Sequence, residues 1–373
     1  MKKLLALVLA VMMLLSAMSV ATAEGTTFGL TPLAERTTLR VGFFAGSVHS
    51  VMFWVADKLG FFDELNIDVE YVQYDSGPTM MEDHANWDIS DVGGPGALSG
   101  MKGYNVSTIG ICDYEENRSG LFVRADSAIA KDPTNPEVWK GTEWVLPTGT
   151  TMEYTLLAQL EKLGLTAADV TITHSAVGTA YTAFQTGSAD GLGVWNMYYL
   201  RALEQGWTLV ADGSSLGLTV ACTLCATEEG LASKYDAIML GELLYYLTWE
   251  WCQASPENMA QAATMYVDSC DWFGIAYDSE EQCAKLLEMN LQPKTAAEAL
   301  ALMTEYEDDY AGKYTGRQLL KAENDVFETL DFFIDVKGSY AEEDRVAMIE
   351  NNMFNVKINE DAKALLEATG YAK

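Results

Sequence analysis

The sequence predicts a two-lobed α/β clamshell: two doubly wound, mostly parallel sheets followed by a helical C-terminal third. Three observations carry that prediction. Short apolar runs alternate with segments of helical period from Leu39 to Val210, the pattern that builds parallel sheets. The alternation comes as two series, divided near Gly120. From Lys234 onward the pattern changes to helix after helix.

Taken in order, Lys2 and Lys3 precede an unbroken apolar run, Leu4 to Leu15, and the small-residue site Ala21-Thr22-Ala23. This is the layout of a secretory signal peptide, so residues 1–23 are set apart from the fold. The apolar run is shorter than the roughly 20 residues a bilayer crossing needs. No cysteine stands beside the cleavage site. An exported chain is therefore expected, with no lipid anchor and no membrane insertion after cleavage.

Leu39–Phe44 reads as a strand, residues 45–50 as a turn, and Val51–Leu59 as a helix stopped by Gly60. Ile67, Val69 and Tyr71 alternate with Asp68 and Glu70, a half-buried strand. Asp88–Val92 runs into Gly93-Gly94-Pro95-Gly96, and Val106–Ile111 and Gly120–Arg124 follow. The second series has strands at Trp144–Leu146, Val170–Thr173, Gly191–Trp195 and Trp207–Val210. The expected division is 24–120 for the first part of lobe 1 and 121–217 for lobe 2. Residues 218–373 return to lobe 1 and add the C-terminal helices. Hinges are expected near Leu121–Arg124 and Leu218–Thr223. The aromatics Trp249, Trp251, Trp272 and Phe273 read as packing between helices.

Removing residues 1–23 leaves 350 residues, too many for one compact core, and shifts the net charge from −31 to −33. Such a chain does not bind nucleic acid or anionic lipid through its general field. A monomer is expected. The six cysteines include Cys222-Thr-Leu-Cys225, but no second pair follows at zinc-finger spacing, and the run LTVACTLCAT reads as a buried strand. His49, His84 and His174 are widely separated, without HExxH or a nucleophile–base order. No catalytic group, metal site or cofactor is expected.

The stretch VLPTGTTMEYTLLAQLEKLGL takes a strand through Thr148, Gly149, Thr150 and Thr151 into a helix. Such a turn presents backbone N–H groups and hydroxyls to a small polar ligand, or it is an ordinary junction with a threonine N-cap. Three other turns also follow strands: Ser47–Ser50, Gly93-Gly94-Pro95 and Trp195–Tyr198. Ligands of doubly wound sheets sit at the carboxyl ends of the strands. All four turns are therefore expected to meet in one cleft.

Four segments, in order, carry a family resemblance. They are VGFFAGSVHSVMFWVADKLGFFDELNIDVEYV, WDISDVGGPGALSGMKGYNV, KGTEWVLPTGTTMEYTLLAQLEKLGLTAADVTI and FQTGSADGLGVWNMYY. From about Thr38 to about Ala226 the chain resembles the periplasmic solute-binding proteins of ABC importers. The group it resembles takes nitrate, taurine and aliphatic sulfonates and includes thiamine-pyrimidine binders. The family's tryptophan-x-proline-tyrosine reads Trp195-Asn196-Met197-Tyr198 here. The resemblance implies a type II periplasmic-binding-protein fold, a periplasmic or extracytoplasmic location, no catalysis, and delivery of a small molecule to an ABC permease. An extracytoplasmic sensor module is the alternative, and an enzyme of the pyrimidine-synthase type a more distant one. The cysteine cluster of that enzyme is not reproduced by the lone C-x-x-C.

The expected ligand contacts are Ser47, Ser50, Gly94, Pro95, Thr150, Thr151 and Trp195, with His49, Asp113, Tyr154 and Tyr198 beside them. The four turns hold no lysine or arginine, and Arg118 is the nearest cation in sequence. Carboxylates at Asp113, Glu115, Glu116 and Glu153 stand near Phe53, Trp54, Tyr114, Tyr154, Trp195 and Tyr198. Aromatics with carboxylates suit a small heteroaromatic or cationic nitrogen compound, pyrimidine-like, through stacking and charged hydrogen bonds. A sulfonate- or nitrate-type anion, held by N–H groups, hydroxyls and a protonated His49, is the alternative.

Overall fold

The computed structural model describes residues 25–277, 279–309 and 318–371; the signal-peptide segment lies outside them. In chain order the strands are β1 (Thr37–Phe43), β2 (Ile67–Gln73), β3 (Ile89–Gly93), β4 (Ser107–Tyr114) and β5 (Ser119–Val123). Then come β6 (Glu143–Leu146), β7 (Thr171–His174), β8 (Gly191–Trp195), β9 (Thr208–Asp212) and β10 (Ala221–Ala226). They form two five-stranded sheets, ordered β2-β1-β3-β10-β4 and β7-β6-β8-β5-β9.

In each sheet the strand in fourth place runs against its neighbours. β10 is antiparallel to β3 and β4, and β5 is antiparallel to β8 and β9. The crossings explain this. The other strands of both sheets end at the cleft. A strand that arrives from the opposite lobe starts at the cleft and so runs the other way.

Local sequence accounts for the depth of each strand. In β2, Ile67 is buried while Asp68 and Glu70 are exposed, which suits a sheet edge. β3 is buried on both faces, so its polar Ser90 and Asp91 need partners inside the protein. Ser90 Oγ donates to the Gly42 carbonyl at 2.8 Å, and Asp91 is held by two residues of the first turn, described below. The helix Val51–Lys58 buries its first six residues under the first sheet. The long helix Glu228–Gln253 packs behind it, with a kink at Lys234, where φ is −137° and ψ 34°.

The C-terminal segment departs from the expectation of helices alone. It contains a short hairpin, β11 (Tyr306–Asp308) and β12 (Gln318–Leu320). Trp249 is buried, but Trp272 is 73% exposed, with the Lys58 ammonium 5.8 Å from its ring, so it is not core. All six cysteines are buried and unbridged.

The lobes are joined by two crossings that run side by side. Glu115 N donates to the Val220 carbonyl at 3.0 Å, and Val220 N donates to Glu116 Oε1 at 3.0 Å. The first crossing is therefore Glu115–Arg118, ahead of the expected Leu121–Arg124, because Ser119–Val123 is already paired within the second sheet. The C-terminal segment braces this junction: Asn117 Nδ2 donates to the Met289 carbonyl at 3.1 Å, and Leu291 N to Asp113 Oδ1 at 3.2 Å.

Beside the crossing, Tyr114 donates its hydroxyl to Asp325 Oδ2 at 2.6 Å. Burial nevertheless raises the Asp325 carboxyl to about 6. An acid raised in the folded state is a cost that begins above its unfolded value near 4 and is complete above about 6. Asp325→Asn is therefore expected to stabilise the protein by about 1–2 kcal/mol at pH 7.5 and to change little at pH 4. Urea unfolding at the two pH values checks this; equal effects at both would contradict it.

Candidate functional site

The carboxyl ends of β1, β2, β3 and β4 in one sheet and of β6 and β8 in the other open into a cavity of about 410 Å³, its mouth included. Phe44 and His49 enter from the turn after β1, Gly93 and Gly96 from β3 and its helix, and Glu115 from the end of β4. The second lobe contributes Gly149, Thr150 and Thr151 after β6 and Trp195 at the end of β8.

The lobes meet closely at this floor. A Cβ on Gly93 would lie 2.9 Å from Thr151 Cγ2 across the cleft. Gly149 has φ +72°, which favours glycine, and a Cβ there would lie 3.1 Å from the Pro78 ring. Asn196 spans the lobes: its Nδ2 donates to Ser47 Oγ at 3.0 Å and to Glu115 Oε1 at 3.1 Å. Its backbone sits in the left-handed region at φ 49°, and its Oδ1 accepts from Arg118 Nε at 3.0 Å.

Under the cavity lies a buried polar chain. His49 Nδ1 is in contact with Asp91, and its Nε2 lies 3.4 Å from Glu115 Oε1. Ser50 Oγ donates to both Asp91 oxygens, at 2.8 and 2.9 Å. Burial alone would lower the His49 pKa, but Asp91 and Glu115 outweigh it and raise it to about 9. Burial pushes Glu115 up, yet His49 and Asn196 bring it below the usual carboxylate value. The His49 imidazolium is thus held between Asp91 and Glu115.

The structure brings together Ser47, His49, Ser50, Thr150, Thr151 and Trp195. Ser50 is wholly buried, and its hydroxyl serves Asp91 and the Phe44 N–H. Thr150 is the N-cap of Thr151–Lys162, accepting from Met152 N at 3.3 Å and donating to the Pro147 carbonyl at 2.6 Å. Gly149 N is taken by Glu153 Oε2 at 2.6 Å. The turn that could have cradled an anion thus spends much of its polar capacity on its own helix.

Other expected contacts stand elsewhere. Asp113 is not at the opening: it is fully buried and paired with Arg118, which is equally buried. Arg118 is therefore not a cation offered to the cleft. Tyr154 is core, its ring 5.0 Å from Phe332 and 5.9 Å from Phe333. Its ring packs on the C-terminal helices and does not line the cavity. Gly94 and Pro95 start the helix Gly94–Tyr104; Gly94 is packed against the Ala221 carbonyl, and Pro95 lines an outer groove with Lys102 and Tyr340. Tyr198 lines a neighbouring opening on the far side of Trp195. Phe53 and Trp54 are buried in the core. Polar residues at or beneath the cavity that the sequence reading did not place among the contacts are Asp91, Glu115 and Asn196. The sequence signal for Asp91 was a carboxylate inside the buried run Ile89-Ser-Asp-Val; nothing local marks Asn196, whose partner Ser47 is 149 positions away.

Residues 47–238 match the NMT1/THI5 like family. The chain belongs to the NMT1/THI5-like family. Among curated relatives of this NMT1/THI5-like protein, one from Escherichia coli (strain K12), assigned as aliphatic sulfonates-binding, is 27% identical over 224 residues. That match covers 58% of this chain and 67% of the relative. The solved periplasmic aliphatic sulphonate binding protein SsuA from Escherichia coli has a TM-score of 0.60 at 19% identity, covering 83% of this chain and 91% of that one. The periplasmic nitrate-binding protein NrtA from Synechocystis PCC 6803 has a TM-score of 0.59 at 12% identity, covering 90% and 99%. These likenesses show a shared two-lobed periplasmic-binding-protein fold. Among the described residues, no helix of this NMT1/THI5-like protein is long and apolar enough to cross a membrane.

Proposed function

We propose that this is an exported solute-binding protein that captures a small neutral or cationic nitrogen heterocycle between its lobes and delivers it to an ABC import permease. One observation carries the ligand class: the cavity is lined by Phe44, Trp195 and Glu115, and among the described residues no lysine or arginine lines it. Aromatic walls receive a flat ring, and a carboxylate at the floor accepts from ring or exocyclic N–H groups. A sulfonate or nitrate would meet the Glu115 charge, while the His49 imidazolium is already shared between Asp91 and Glu115. The relatives named for sulfonates and nitrate support the transport role; the lining supports a ligand of a different class.

Closure follows from the same contacts. A ligand seated between Phe44 and Trp195 joins the lobes alongside the Asn196 bridge, and binding energy holds the closed form that a permease would recognise. Catalysis is no part of this reading.

The test is equilibrium binding of hydroxymethyl-pyrimidine, with recovery of the ligand by mass spectrometry. One ligand per chain, returned unchanged, is expected. Trp195→Ala is expected to weaken binding by about 10-fold or more, the loss of an aromatic wall worth at least ~1.4 kcal/mol. Conversion of the ligand to a new mass would contradict a pure binding role. Affinity unchanged in the variant would place the site elsewhere.

A further inference from the structure

We propose that His49 Nε2, the Glu115 carboxylate and the Cys222 thiolate form a three-ligand site for a zinc-type dication, with a fourth position open to the cleft. The three donor atoms lie within 4.8 Å of one another, and all three side chains are buried. They come from separate elements: the turn after β1, the end of β4, and β10. Their convergence is a product of the fold and is invisible as spacing in the sequence. Nitrogen, oxygen and thiolate together suit a borderline ion such as Zn²⁺ or Co²⁺; calcium and magnesium take oxygen ligands.

The orientation of His49 is a second observation. Asp91 engages Nδ1, and Ser50 holds Asp91 in turn. The ring is thereby locked with Nε2 toward Glu115, the carboxylate–histidine–metal arrangement that fixes tautomer and direction in metal sites.

Spacing is a third. His49 Nε2 and Glu115 Oε1 are 3.4 Å apart. A hydrogen bond between charged partners closes to about 2.7–2.9 Å. Two ligands bound at about 2.0–2.1 Å to a tetrahedral ion stand about 3.3 Å apart. The observed separation fits the second case.

The open side faces the cleft. His49 and Glu115 both line the cavity, as does Gly93, the partner of Cys222 in the β3–β10 ladder. Zinc sites with three protein ligands and one open position are those that take an outside group. The charges balance: the Glu115 carboxylate and the Cys222 thiolate neutralise the dication. On binding, the ion replaces the Cys222 S–H proton and the His49 Nε2 proton, both released to solvent. No redox change is involved. The site shares Glu115 with the heterocycle reading: with the ion bound, that carboxylate serves the metal, and the heterocycle reading applies to the metal-free protein.

Cobalt is the probe. The exported chain, stripped with a chelator and dialysed, is titrated with Co²⁺ and then with Zn²⁺. One Co²⁺ per chain is expected, with a thiolate-to-cobalt charge-transfer band that Zn²⁺ abolishes. Cys222→Ser loses the band. Cys225→Ser keeps it, because Cys225 packs on the opposite face of the strand, in the other core cluster. Glu115→Gln weakens Co²⁺ binding by about 10-fold or more. Wild-type protein that shows no charge-transfer band overturns the proposal, and so does a band that survives Cys222→Ser. Should Cys222→Ser fail to fold, as judged by circular dichroism, the wild-type band and the Glu115→Gln titration decide the matter.

Discussion

Arg118→Met is expected to lower stability by about 3–5 kcal/mol, the largest loss from any single substitution considered for this chain. Arg118 and Asp113 are both wholly buried and paired. Arg118 also donates to the Tyr114 carbonyl at 3.1 Å and to Asn196 Oδ1 at 3.0 Å. Burial lowers its pKa to about 10, still well above neutral pH, so the guanidinium is charged there. Methionine fills much of the volume but leaves Asp113 a buried charge without its counter-ion. Replacing both partners with apolar residues, Arg118→Met with Asp113→Leu, is expected to recover most of the loss, since the pair itself is worth little once both charges are gone. Urea unfolding of the single and double variants measures both. A loss below about 1 kcal/mol in the single variant would show that the pair does not hold the crossing together.

Glu115→Gln carries the second large effect. The carboxylate lines the cavity and accepts from Asn196, with Thr151 Oγ1 3.5 Å from its second oxygen. A ligand N–H donating to a carboxylate gains about 1.5–3 kcal/mol. Removing the charge is expected to weaken a cationic or donor-bearing heterocycle about 10- to 100-fold, and to leave an anion unchanged or improve it. Calorimetric titration of one ligand from each class reads the sign. A heterocycle that binds the variant as well as wild type would show that Glu115 does not meet the ligand.

The order of elements could be read because each strand here is a short apolar run closed by glycine or a polar turn, and each helix repeats its apolar residues at helical spacing. Two parts of the fold resisted. β11 and β12 are three residues each, too short to show a period. The first crossing was misplaced because Ser119–Val123 reads the same whichever sheet it joins. At the site, the turns after strands identified which chain segments meet, since that follows from topology. They did not identify which atoms face the opening. Tyr154 lies only three residues past Thr151, yet its ring packs into the core against Phe332 and Phe333, partners that no local pattern announces. Thr150, read as either ligand contact or N-cap, is structurally the cap. Asp113 and Arg118 neutralise each other, a pairing that depends on how the chain folds back between the lobes. The acid of the cavity floor is Glu115, two residues further on and just past the end of β4, where the chain has left the ladder and begun the crossing.

The most direct measurement is a thermal-shift comparison of the mature chain, residues 24–373, against a pyrimidine or polyamine series and an alkanesulfonate, taurine and nitrate series. A ligand at about 100 times its dissociation constant stabilises by about 2.7 kcal/mol, enough to move the transition by roughly 5 °C. The account predicts a shift with a nitrogen heterocycle that Trp195→Ala removes, and none with the anions. A shift with sulfonate or nitrate and none with heterocycles would contradict it.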